Sequence, residues 1–141
     1  MTALGLAAAI SVTVCAATPA ASAAVGRSAL ARCGENPSDW FDATGETIYT
    51  GKPWKRIRNR PIQRYQAKLE ITKGEGTWTV DNGAPAALGK PAFDPHLSWN
   101  LPGGGWIQLS NAKCEGGGTR VTESSFLDNN GFYTAYFPRQ K

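Results

Sequence analysis

The sequence predicts an all-β protein, a small antiparallel β-barrel or β-sandwich of about seven or eight short strands. Two observations lead to this prediction. The chain of 141 residues contains 16 Gly and 9 Pro, and turn-forming residues interrupt it about every ten positions. Between these turns, apolar and polar residues alternate, and no stretch after the first 23 residues shows the periodicity of a helix.

The strongest strand signal lies in residues 62–81. From Arg64 to Thr72 every second residue is polar and those between are apolar, which is the pattern of a strand with one buried face. Gly74 and Gly76 are predicted to supply a turn, and Trp78 continues the apolar face on the returning strand. This part of the chain therefore predicts an antiparallel hairpin.

Shorter segments on either side predict the remaining strands. Residues 40–42 and 47–50 suggest two strands before the hairpin, and residues 97–101 and 106–110 suggest two after it. Asn130-Gly131 is a hairpin turn signal that leads into a last strand. Aromatic residues fall on both faces of that last strand, so we expect it to be central or to offer one face to a ligand.

The first 23 residues predict a secretory signal peptide. Residues 3–17 are nearly all small or apolar, and Ala21-Ser22-Ala23 is the pattern that signal peptidase cleaves. A membrane span is the alternative, but an apolar run of about 15 residues is short of the roughly 20 that a span needs. We therefore expect a single domain over residues 24–141, secreted and without a transmembrane anchor in its mature form.

Two cysteines, Cys33 and Cys114, fall within this domain. In an oxidising extracellular environment two cysteines in one small domain most simply form a disulfide. The bridge would close a loop of about 80 residues and contribute on the order of 4 kcal/mol to stability. A reactive-thiol role is disfavoured because a disulfide leaves no thiolate.

The basic excess of the chain is concentrated in one segment. Net charge is +4, and residues 52–68 hold seven basic residues and no acidic one. With Pro53 and Pro61 near its ends, residues 51–61 predict a long exposed connection. Trp54 lies among the cations, and charge combined with an aromatic ring is how proteins bind polyanions. The alternative is a solvated loop that aids solubility.

The position of each tryptophan in the alternation of apolar and polar residues predicts whether it is buried or exposed. Trp78 and Trp99 lie on alternating apolar faces and are predicted to be core residues. Trp106 is out of phase with its neighbours Ile107 and Leu109, so it is the first candidate for an exposed ring, followed by Trp54 and then Trp40. Exposed rings beside polar side chains are typical of carbohydrate recognition.

Catalytic and cofactor signatures are weak. The single histidine, His96, could form a triad only with neighbours such as Asp94 and Ser98, and no nucleophile elbow surrounds any serine. The glycine runs at 103–105 and 116–118 lack the helix that a phosphate site uses. We expect no metal site and no cofactor, nucleotides included.

Three functional hypotheses follow. The first is a monomeric, non-enzymatic domain that binds an anionic or glycan surface, such as a cell-wall polymer or polysaccharide. Its candidate ligand-binding residues are Lys52, Trp54, Lys55, Arg56, Arg58, Arg60 and Trp106. The second is a secreted inhibitor or toxin-like protein that binds an extracellular protein through the basic loop at 52–61. The third is a small hydrolase centred on His96.

Overall fold

The structure is a computed structural model that describes residues 32–55 and 58–141. Eleven strands and one four-residue helix make up the regular structure of these residues, so the all-β class is confirmed. The elements in chain order are α1 (Pro37–Trp40), β1 (Glu46–Gly51), β2 (Trp54–Lys55), β3 (Gln63–Arg64), β4 (Ala67–Thr72), β5 (Glu75–Val80), β6 (Ala86–Gly89), β7 (Ala92–Phe93), β8 (Leu97–Asn100), β9 (Trp106–Cys114), β10 (Val121–Asp128) and β11 (Tyr133–Pro138).

The strands form two open antiparallel sheets that share one hydrophobic core. The smaller sheet has four strands in the order β1-β4-β5-β6, and the larger has seven in the order β3-β2-β11-β10-β9-β8-β7. The sequence predicted either a barrel or a sandwich. Neither sheet closes on itself, so the barrel is wrong. The number of strands exceeds the predicted seven or eight because β2, β3 and β7 have two residues each, which is too short to show alternation.

The predicted central hairpin is confirmed as β4 and β5. Its turn is Lys73-Gly74, both with positive φ, as a two-residue hairpin turn requires. Gly76 does not belong to the turn, contrary to prediction, because it lies in β5 opposite Ile71. A Cβ on Gly76 would lie 2.6 Å from the indole nitrogen of Trp99. This glycine therefore allows the two sheets to approach closely.

The core fills the space between the sheets. Trp78 from the smaller sheet stacks on Phe126 from the larger one, with ring centroids 4.9 Å apart. Trp78 and Trp99 are buried, as predicted, and so are Ile107 and Leu109. The buried apolar residues are Trp40, Tyr49, Ala67, Leu69, Ile71, Trp78, Leu97, Trp99, Ile107, Leu109, Val121, Phe126 and Phe137.

The segment at Trp40 differs from its prediction. It ends the short helix α1 and does not begin a strand, because Asn36-Pro37 starts a helical turn in which Asp39 accepts the Asn36 backbone N–H. The Trp40 indole N–H donates to the Gly34 carbonyl at 3.0 Å. Trp40 is 2% exposed, so its ranking as a candidate exposed ring is wrong.

A buried hydrogen bond ties this helix to the smaller sheet. The Tyr49 hydroxyl donates to the Trp40 carbonyl oxygen at 2.7 Å. Burial raises the pKa of Tyr49, which keeps the hydroxyl protonated and available as a donor. The guanidinium of Arg139, near the end of the chain, donates to the hydroxyl of Thr47 on the same strand.

The predicted disulfide between Cys33 and Cys114 is confirmed, with its Cα atoms 5.9 Å apart. It ties the segment before α1 to the end of β9. Such a bridge is compatible with an extracellular protein. The predicted signal peptide, residues 1–23, and the start of the predicted domain, residues 24–31, lie outside the described residues. In the described part of the chain, no helix is both long and apolar enough to cross a bilayer.

Candidate ligand-binding face and basic hairpin

The basic segment folds as a small hairpin at the edge of the seven-stranded sheet. Strand β2 pairs with β3, and Trp54 of β2 pairs with Tyr133 of β11. The rings of Trp54 and Tyr133 meet edge to face with centroids 5.8 Å apart, which anchors the hairpin. The predicted long connection is thus partly wrong, since only residues 56–62 lie between the two strands. We call residues 52–64 the basic hairpin.

The cations of the basic hairpin differ in their surroundings. Lys52, Arg58 and Arg60 are exposed, and within residues 32–55 and 58–141 no carboxylate forms an ion pair with them. Lys55 is half-buried, with its Nζ 5.2 Å from the centre of the Phe132 ring. Arg56 lies outside the described residues. The hairpin therefore presents several cations at one edge of the sheet.

Lys68, the last of the seven basic residues in 52–68, is not part of the basic hairpin. Lys68 lies in β4, on the smaller sheet, and its ammonium contacts the Glu70 carboxylate at 2.9 Å. This ion pair offsets its charge. Arg64, in contrast, lies opposite Trp54 in the basic hairpin and is exposed. The sequence analysis left Arg64 out of the candidate site, although it lies within residues 52–68, which contain no acidic residue.

The register of the larger sheet aligns side chains from four strands on its outer face. Directly paired residues project from the same face of a sheet. Gln108 lies between the buried Ile107 and Leu109, so its side chain faces away from the core. The residues paired across the strands in line with it are Leu127, Tyr133 and Trp54. Together with Trp106, these four residues form what we call the aromatic face.

Trp106 lies two residues before Gln108 in β9 and shares its orientation. Its side chain is 37% exposed, which confirms the predicted exposed ring. Asn129 fixes the backbone there, since its side-chain oxygen accepts the Trp106 N–H at 3.0 Å and its own N–H donates to the Trp106 carbonyl. Trp54 and Trp106 share a face but lie three strands apart, roughly 14 Å at the usual strand spacing.

An irregularity in β11 changes which of its aromatic side chains face the core. Thr134 pairs with Phe126 and Phe137 pairs with Ser124, so β11 holds one extra residue between the pairs. The bulge turns Phe137 into the core and leaves Tyr136 65% exposed. Strict alternation along the strand predicts Phe137 on the same face as Tyr133. No feature of the local pattern shows the bulge.

The outer face of the smaller sheet is different in character. Its rows across β1, β4 and β5 are mainly polar and carry no aromatic side chain in these described strands. One row consists of Thr50, Lys68 and Thr79, and the next of Ile48, Glu70 and Thr77. Exposed aromatic side chains in regular strands are therefore concentrated on one side of the sandwich.

Known proteins give no guide to the site. Comparisons with protein-family models, with curated proteins and with solved structures found no match to this chain. The function must be inferred from the side chains themselves.

The residues of the hydrolase hypothesis lie around the β7–β8 turn. The Asp94 backbone N–H donates to the His96 carbonyl at 3.2 Å, and Ser98 lies in β8 paired with Gln108. In the described residues, no hydrogen bond joins the His96 side chain to Asp94 or Ser98. The same residues contain no cluster of three or more His, Cys, Asp or Glu side chains that could hold a metal ion.

Proposed function

We propose that the protein is a secreted, non-enzymatic domain that binds an anionic or glycan surface, such as a cell-wall polymer, through the aromatic face and the basic hairpin. The observation that carries the proposal is the strand register, which aligns Trp54 with the face that holds Trp106. The signal-peptide pattern and the disulfide support the extracellular setting.

The two parts of this surface offer complementary interactions. Aromatic rings on an open sheet face supply flat apolar area at a low cost in conformational entropy, which suits the apolar faces of sugar rings. Gln108 adds an amide beside them that can donate and accept hydrogen bonds. Arginine guanidinium groups bind carboxylate and phosphate oxygens in bidentate geometry. A polymer with sugar rings and anionic groups would engage both parts.

Charge should govern binding to an acidic polysaccharide. We expect the double variant Arg58→Ala/Arg60→Ala to bind heparin-like beads about tenfold more weakly at low salt, because two exposed cations are lost. Binding of the wild type should weaken as salt rises, and the variant should show a shallower salt dependence. Pull-down isotherms at several salt concentrations measure both quantities.

The matched control removes two cations from the opposite end of the sandwich. Lys73 lies in the β4–β5 turn and Lys90 follows β6, and both are exposed. Lys73→Ala/Lys90→Ala has the same net charge as the arginine variant and should retain binding. Equal losses in the two double variants would show that only net charge matters and would contradict the role of the basic hairpin.

Stacking should govern the part of binding that survives high salt. Trp106→Ala should cost about 1–2 kcal/mol of binding free energy on a polysaccharide that still binds at high salt, because an exposed ring is lost. Trp106→Phe keeps a ring and should retain most of the affinity. Equal affinities of wild type and Trp106→Ala on every polysaccharide tested would rule out the aromatic face as the site.

A further inference from the structure

One end of the sandwich holds a pocket between the two sheets. Its volume is about 340 Å³, which lies within the range of small-ligand sites. Both sheets contribute to its walls, and most of the lining is apolar. The lining side chains that matter here are Tyr65, Trp78, Ala86, Leu101, Phe126 and Phe132. Trp78 and Phe126 are buried and stacked on each other, so this part of the wall is rigid.

One charged residue lines this pocket, and a second contacts one of the lining rings. Asp128 lines it, and one of its carboxylate oxygens accepts the backbone N–H groups of Asn130 and Phe132 at 2.9 and 2.8 Å. These bonds hold the carboxylate against the turn that follows β10. The Lys55 ammonium lies over the ring of Phe132, which is one of the residues that line the pocket.

We propose that this pocket binds a small organic anion, an apolar molecule that carries one acidic group. The apolar body would replace water between the sheets, where it contacts Trp78 and Phe126. The acidic group would lie at the rim and pair with the Lys55 ammonium, which an apolar ring already holds in place. The site lies between the sheets and not on the aromatic face, and it shares Pro53 and Lys55 with the basic hairpin.

A pair of fluorescent probes tests both parts of the proposal. Anilinonaphthalene sulfonate and N-phenylnaphthylamine share the same rings, but only the first carries an acidic group. In fluorescence titrations of the folded protein, we expect the sulfonate to bind at one site and about tenfold more tightly than the neutral probe. Equal affinities would overturn the role of the charge, and no binding of either probe would overturn the site.

Variants then place the binding within the pocket. Ala86→Phe puts a ring into the pocket and should abolish binding of both probes. Ala87→Phe is the matched control. Ala87 is exposed, lies opposite Thr77 and faces the other side of the sheet from Ala86. Retained binding in Ala86→Phe would overturn the proposal. If Ala86→Phe does not fold, Leu101→Trp fills the same space from the larger sheet and gives the same test.

Two further variants separate this site from the aromatic face. Lys55→Met keeps the aliphatic stem and should lower the affinity for the sulfonate to that for the neutral probe. Trp106→Ala should leave both probe affinities unchanged, although it weakens polysaccharide binding. Unchanged sulfonate affinity in Lys55→Met, or loss of probe binding in Trp106→Ala, would contradict the assigned site.

Discussion

Removing the disulfide should lower the free energy of unfolding by about 4 kcal/mol, the expectation for a loop of this length in the chain-entropy model. Cys33 and Cys114 are 81 residues apart in sequence, so the bridge restricts the unfolded chain strongly. In the folded state it also holds the segment before α1 against β9. Gly34, next to Cys33, packs so closely there that a Cβ would meet the side chain of Ala112.

Denaturant unfolding of Cys33→Ser/Cys114→Ser beside the oxidised wild type measures this loss. Reducing agent should lower the free energy of unfolding of the wild type nearly to that of the variant. It should leave that of the variant unchanged, which controls for other effects of the reagent. Coincident unfolding curves of the oxidised wild type and the variant would show that the bridge does not contribute to stability.

Phe137→Ala should destabilise the protein by about 3–5 kcal/mol, because it removes a ring from the centre of the core. Phe137 is fully buried, and its centroid lies 5.3 Å from that of Phe126. Gly51 packs against it so closely that a Cβ there would collide with the Phe137 ring. Neighbouring side chains can therefore collapse only partly into the space that the ring leaves.

Tyr136→Ala is the matched control for this change. Tyr136 is the preceding residue, but the bulge in β11 places it on the outer surface, where the Lys113 ammonium lies over its ring. Its removal should cost less than about 1 kcal/mol. Urea unfolding of both variants measures the difference. Similar losses in the two variants would contradict the bulged register.

The parts of the fold that sequence analysis predicted are those with local signals. The β4–β5 hairpin has two six-residue strands, long enough to show the period of two, and a short turn between them. Ile107 and Leu109 could be assigned to the core for the same reason. The disulfide followed from the number of cysteines in the expected domain.

The parts that were missed depend on pairing between distant segments. Trp54 lies in a two-residue strand, and its place in the larger sheet is fixed by its pairing with Tyr133 near the other end of the chain. No local period can show such a pairing. Trp40 was misassigned because hydrogen bonds from its indole and to its carbonyl, both formed in the tertiary structure, draw it into the core.

The pairing of β2 with β11 also sets an order of events for a chain that is made from its N-terminus. The β4–β5 hairpin and the pairing of Trp54 with Arg64 can form early, but the basic hairpin cannot join the larger sheet until Tyr133 has been synthesised. At a synthesis rate of about 5–20 residues per second, Cys114 is added to the chain roughly 4–16 s after Cys33. A chain interrupted before β11 would lack Tyr133, and with it the pairing that joins Trp54 to Leu127 in the aromatic face.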